Sequence, residues 1–181
     1  MLLGGKLGEK GINVLFMQLL LIGMLVVSLF GRLDFFVFGF MEGVLAVAYL
    51  YVLFFRLRKA AKDFLPYALF FPGLLAFALA ISFSWTFSGS LISGSCLFIG
   101  IAAAFLIFFA GFSISQGRPY TTGVVELAGE GKAVVRADFD VRTMTNAGMF
   151  LVDARKSVRK GDEVRLKVGK TLLGRQPKEI I

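Results

Sequence analysis

The stretch CLFIGIAAAFLIFFAGFSI, residues 96–114, runs directly into SQGRPYTTGVVELAGEGKAVVRADFDV, residues 115–141, and the change of pattern between them decides the fold. The first part carries no charged residue. At 1.5 Å per residue it makes a helix of about 28 Å, enough to cross roughly 30 Å of hydrocarbon. In the second part Ala133, Val135, Ala137, Phe139 and Val141 alternate with Lys132, Val134, Arg136, Asp138 and Asp140. Period two over ten positions is the pattern of a half-buried strand. A membrane-spanning helix and a β domain therefore meet near residue 116.

Toward the N-terminus three more runs match the first: Ile12 to Phe30, Phe35 to Phe55 and Phe64 to Trp85. The only charge within them is Glu42, and none shows the polar stripe of a soluble amphipathic helix. Lys6 and Lys10 resemble the charged start of a secretory signal, but the run after them is long and lacks a small-residue cleavage site, so it reads as a retained helix. Residues 1–116 are thus expected to form an all-α membrane domain with helices at about 12–30, 35–55, 64–85 and 96–114. Short connections make them an up-down bundle of four transmembrane helices. The composition agrees, with 57% apolar and 14% aromatic residues concentrated before residue 114.

Basic residues set the orientation. Lys6 and Lys10 precede the first helix, Arg56, Arg58, Lys59 and Lys62 follow the second, and thirteen more lie beyond Gly117. Opposite them stand Arg32 in the first loop and an uncharged loop from Thr86 to Ser95. The expected topology is a multi-pass cell-membrane protein with both termini cytoplasmic. Trp85 is placed at the outer interface, and Tyr49, Tyr51 and Tyr67 toward the inner one.

The tail, residues 117–181, is expected to be a small all-β barrel, OB-like or SH3-like. Strands are read at 123–127, 132–141, 150–154 and 163–168, with a fifth starting at Thr171. Turns are read at Ala128 to Gly131, Arg159 to Asp162 and Gly169-Lys170. The apolar face comprises Val125, Leu127, Ala133, Val135, Ala137, Phe139, Phe150, Val152, Val164, Leu166 and Val168. Thirteen basic against eight acidic residues make the tail cationic. Its aromatics are only Tyr120, Phe139 and Phe150, and the two phenylalanines fall in the core pattern, which argues against a nucleic-acid partner.

Thr122-Gly123-Val124-Val125, then Val158-Arg159-Lys160-Gly161-Asp162-Glu163-Val164 and Val168-Gly169-Lys170-Thr171-Leu172, resemble the C-terminal barrel of the NfeD-like proteins. That resemblance implies membrane helices followed by an OB-fold. The whole chain resembles a group of archaeal predicted membrane proteins, from which no activity carries over.

The chain has no histidine, and its single cysteine, Cys96, allows neither an internal disulfide nor a Cys/His zinc site. Cys96 reads as a buried structural thiol. No Gly-x-Ser-x-Gly elbow, P-loop or dinucleotide fingerprint is present, so no catalytic, cofactor or metal residues are assigned. Glu42 is the candidate intramembrane functional residue, since a carboxyl some 10–12 Å inside the bilayer is rare and faces a bundle interior or cavity. Gly39 and Gly43, and Gly100 and Ala104, have the small-residue spacing of close helix packing. Arg56, Arg58, Lys59 and Lys62 form a basic cluster suited to the membrane surface. The expected partners are the lipid bilayer and a protein partner or second copy. The function read from this layout is a membrane scaffold presenting a cytoplasmic barrel; the alternative is a small transporter or proton-coupled protein using Glu42.

Overall fold

The structure is a computed structural model that describes residues 8–30, 35–61, 63–87, 91–154, 157–171 and 174–181. It shows four apolar helices followed by a closed five-stranded barrel, the fold class expected from the sequence. Two compact units divide between Ser115 and Gln116, with the start of α1 up to Ile12 grouped with the second.

In the first unit α1 spans Glu9–Phe30. It begins before the apolar run because Glu9 sits in its first turn, where a carboxylate favours the positive end of the helix dipole. α2 begins as Phe35–Tyr51, widens into a π-helical segment at Val52–Leu57 and ends with Arg58–Ala60. The amide of Arg58 donates to Leu53, five residues back, which marks the widened ladder. The segment buries Val52, Leu53 and Leu57 and leaves Arg56 exposed. α3 covers Leu65–Phe87 and runs through Pro72. α4 covers Leu91–Gln116. The four candidate spans are Glu9–Leu29, Phe35–Ala60, Leu65–Trp85 and Ser95–Gln116.

Phenylalanines join α3 to α4. The Phe70 ring lies 4.9 Å from that of Phe112, and Phe77 meets Phe105 edge-on at 5.2 Å. Gly73 is needed there, since the ring of Phe108 fills the space a β-carbon would take. Two of the tyrosines are buried against neighbouring helices. Tyr49 is 0% exposed and donates its hydroxyl to the Phe71 carbonyl at 3.0 Å. Tyr67 is buried and stacks on Phe71. The hydrogen bond satisfies the phenol of Tyr49 within the bundle. Tyr51 and Trp85 remain exposed on the bundle.

In the second unit β1 (Tyr120–Ala128), β2 (Lys132–Ala137), β3 (Gly148–Ala154), β4 (Glu163–Thr171) and β5 (Gly174–Ile180) close in the order β1-β2-β3-β5-β4. β3 and β5 are parallel, pairing Asp153 with Glu179 and Ala154 with Ile180, while the other neighbours are antiparallel. Closure leaves no long unpaired edge. Val125, Ala133, Val135, Ala137, Val152, Leu166 and Ile180 form the core, with Phe150, Ala154, Val158 and Val164 packed against it. Gly131 and Gly161 turn the chain with positive φ, at 71° and 94°. At Gly123 a β-carbon would lie 2.6 Å from Val135 Cγ1 and 2.9 Å from the Arg136 carbonyl, so only glycine fits there.

Three strand readings change. A bulge between Val125 and Leu127 rotates the end of β1, and Leu127 turns outward. β2 ends at Ala137, so Phe139 is no part of it and Asp140 does not follow its alternation. Gly169 and Lys170 are strand, paired with Gln176 and Arg175, not a turn. The space beside Gly169 is taken by the Lys178 side chain, which accounts for the glycine without a reversal of the chain. The connection falls at residues 172–173, outside the described residues.

Candidate functional sites in the bundle and on the barrel

Glu42 sits on α2 and is 2% exposed. Ser82 of α3, also buried, lies close enough to interact with its carboxyl, although neither carboxylate oxygen closes a hydrogen bond of full geometry. One turn toward the N-terminal end of α2, Phe38 is buried and packs edge-on against Phe83. The setting of Glu42 is thus a contact between α2 and α3, with Ser82 as its polar neighbour from α3.

Of the small residues read as packing positions, Gly39, Gly43 and Gly100 face open space among the described residues. A β-carbon added at Gly39, Gly43 or Gly100 would meet nothing within 4 Å, and Ala104 is exposed. Close helix approach inside the bundle occurs instead at Gly73, and at Gly23, which faces Leu45. A groove of about 490 Å³ lies between α3 and α4, lined by Phe77, Ala80, Cys96, Leu97, Gly100, Ile101 and Ala104. Cys96 is therefore an exposed, groove-lining thiol rather than a buried one. An apolar thiol meets no penalty toward hydrocarbon, which removes the reason to bury it. Arg56, Arg58 and Lys59 are exposed at the end of α2; Lys62 lies outside the described residues.

The barrel holds a polar cluster that the alternation of β2 concealed. Asp140 had the position of an outward residue, but it is buried. Its Oδ2 accepts from Arg118 Nη2 at 2.9 Å and from Thr121 Oγ1 at 2.8 Å, and its Oδ1 from the Arg142 amide at 3.1 Å. Burial pushes this carboxyl up, but the hydrogen bond and charge of Arg118, helped by Thr121 and the Arg142 amide, outweigh burial and hold it below the usual range. Asp140 also bridges backbone to backbone with Thr145, across a turn in which Met144 takes φ 53°. Arg142 Nε donates to the Gln116 carbonyl at 2.9 Å, so the turn clasps the segment that leads into β1. The available signal was Asp140-Val141-Arg142, since an aspartate accepting from the amide two residues on is the side-chain form of a turn. The cluster is a positioning device and brings no nucleophile and base together.

The predicted membrane protein family DUF2101 matches residues 5–181. No curated protein and no solved structure matches the chain. The match covers nearly the whole sequence, both helices and barrel, and the chain belongs to that family.

Proposed function

We propose that this DUF2101 member is a multi-pass membrane scaffold that self-associates in the bilayer and carries its barrel in the cytoplasm as a protein-binding module. The observation that carries this reading is the open space beside Gly39, Gly43 and Gly100. Small residues let helices approach closely, and among the described residues none comes within 4 Å of a β-carbon at these positions. On the barrel, Leu127, Val134 and Leu151 are cross-strand partners on β1, β2 and β3. Leu127 and Leu151 are 64% and 65% exposed, making an apolar row on the outer face, a pattern of interaction surfaces.

The cytoplasmic placement rests on the basic residues, with Arg56, Arg58 and Lys59 exposed at the end of α2. The strand order and the parallel β3–β5 closure favour an OB-like barrel over an SH3-like one. The stretches that resemble NfeD-like proteins fall in β1, in the turn before β4 and in β4 itself. The alternative, a small transporter or proton-coupled protein, draws on the burial of Glu42 beside Ser82. It requires water to reach that carboxyl, whereas the groove between α3 and α4 is apolar and does not include Glu42.

The test is the oligomeric state of Gly43→Ile and Gly100→Ile in mild detergent and in nanodiscs, by native mass spectrometry. Because a β-carbon at either position meets nothing within 4 Å among the described residues, helix content should stay at the wild-type value. Wild type should run as a dimer or larger, and at least one variant as a monomer. A monomeric wild type in both media, or variants that keep the wild-type assembly, would overturn self-association through these residues.

A further inference from the structure

Tyr120 opens β1 four residues after the last residue of α4. The Cζ of Arg118 lies 5.1 Å from the centre of its ring, and the Cζ of Arg165, on β4, lies 5.4 Å away. Arg165 pairs with Thr122, and Lys167 with Tyr120, so these side chains share the β1–β4 side of the barrel. Arg118 is fixed from beneath by Asp140 at 2.9 Å, and its Nε has no acceptor among the described residues. Lys167 stands opposite Glu179 on β5, and Glu163 opposite Val124; the charge of Arg118 is balanced by Asp140, so Arg165 supplies the exposed positive charge beside the ring. Both guanidiniums stand over one aromatic ring, a cation–π contact that limits their rotamer freedom. A guanidinium fork suits the oxygens of a phosphate.

We propose that Arg118, Tyr120 and Arg165 form a binding site for the phosphate of an anionic membrane lipid. The occupant follows from covalent reach. Tyr120 is separated from the end of the last span by four residues, about 14 Å of fully extended chain at most. Headgroup phosphates therefore lie within reach of the site wherever α4 leaves the bilayer. Arginine and tyrosine at that depth have the polar and amphipathic character that the interface favours. The inference rests on α4 being a membrane span and is independent of the oligomeric state proposed above.

The experiment counts phosphatidylglycerol and phosphatidylcholine molecules retained by the full chain in mixed micelles, using native mass spectrometry. Wild type is compared with Arg165→Ala, Arg165→Lys and the charge-matched control Lys160→Ala, a change at an exposed turn position. Arg165→Ala should lower occupancy by the tightest phosphatidylglycerol roughly fivefold, as expected for one interfacial basic residue. Lys160→Ala should leave it unchanged, and Arg165→Lys should restore part of it. Arg165 is exposed, so the melting temperature should not move, which separates lipid loss from unfolding. Equal losses in Arg165→Ala and Lys160→Ala, or equal retention of phosphatidylcholine, would overturn the site. Displacement of the lipid by millimolar inorganic phosphate would overturn the lipid assignment in favour of a soluble phosphate. A monomeric wild type that still retains phosphatidylglycerol through Arg165 would sink self-association and leave this inference standing.

Discussion

Val135→Asp abolishes the folded barrel. Val135 is fully buried at the centre of β2, paired with Val125 on one side and Phe150 on the other. A carboxylate there has no partner, and burying it costs several kcal/mol against a domain stability of about 5 kcal/mol. Arg136→Asp, one position along, is the control. Arg136 points outward and pairs with Glu126 at 3.3 Å in a partly exposed bridge. Losing that pair and setting two acids side by side costs about 1 kcal/mol. Hydrogen exchange by mass spectrometry on the full chain separates the two. Peptides covering β1, β2 and β3 should lose protection throughout in Val135→Asp and keep it in Arg136→Asp. Equal effects would mean that the strand register is wrong.

Asp140→Ala should cost about 3 kcal/mol, because it leaves the Arg118 guanidinium half-buried without its counter-charge and removes the acceptor for Thr121 and for the Arg142 amide. Deprotection should be largest in the segment from Arg118 to Thr122 and in the turn up to Thr145, the parts that Asp140 ties together. A pH series gives a second reading. The folded carboxyl titrates below its usual range, so its contribution is complete above the unfolded value, near pH 4, and is lost as the pH falls through the lower folded value. Wild type should therefore lose protection in this segment below about pH 4, while Asp140→Asn, weaker at neutral pH, should show a flatter profile over the same window. Parallel profiles would show that Asp140 does not titrate as its contacts require.

The spans were legible because lipid leaves little freedom. A run of about 20 apolar residues without a polar stripe has few other uses. The core of β2 was legible for a similar reason, since Ala133, Val135 and Ala137 keep strict period two up to the end of the strand. Periodicity fails where the ladder does. The bulge at Glu126 turned Leu127 from a core position into an exposed one. Asp140 lies beyond the end of β2, where a turn and not a pleat decides which way a side chain faces. In the bundle, spacing alone could not tell a glycine that admits a neighbour from one that faces open space. Gly73 and Gly43 look alike in sequence, and only the position of the Phe108 ring separates them. The hydrogen bond of Tyr49 was not legible because its acceptor, the Phe71 carbonyl, lies 22 positions away in sequence.

The reading of the chain as a membrane scaffold with a cytoplasmic barrel depends most on which side of the membrane the barrel occupies. Reporter fusions after Lys62, after Ile181 and between Ser88 and Ser93 measure this directly. The account predicts a cytoplasmic signal from the first two and an external signal from the third. An external signal after Ile181 would contradict it, and would remove the barrel from the compartment on which its proposed partners depend.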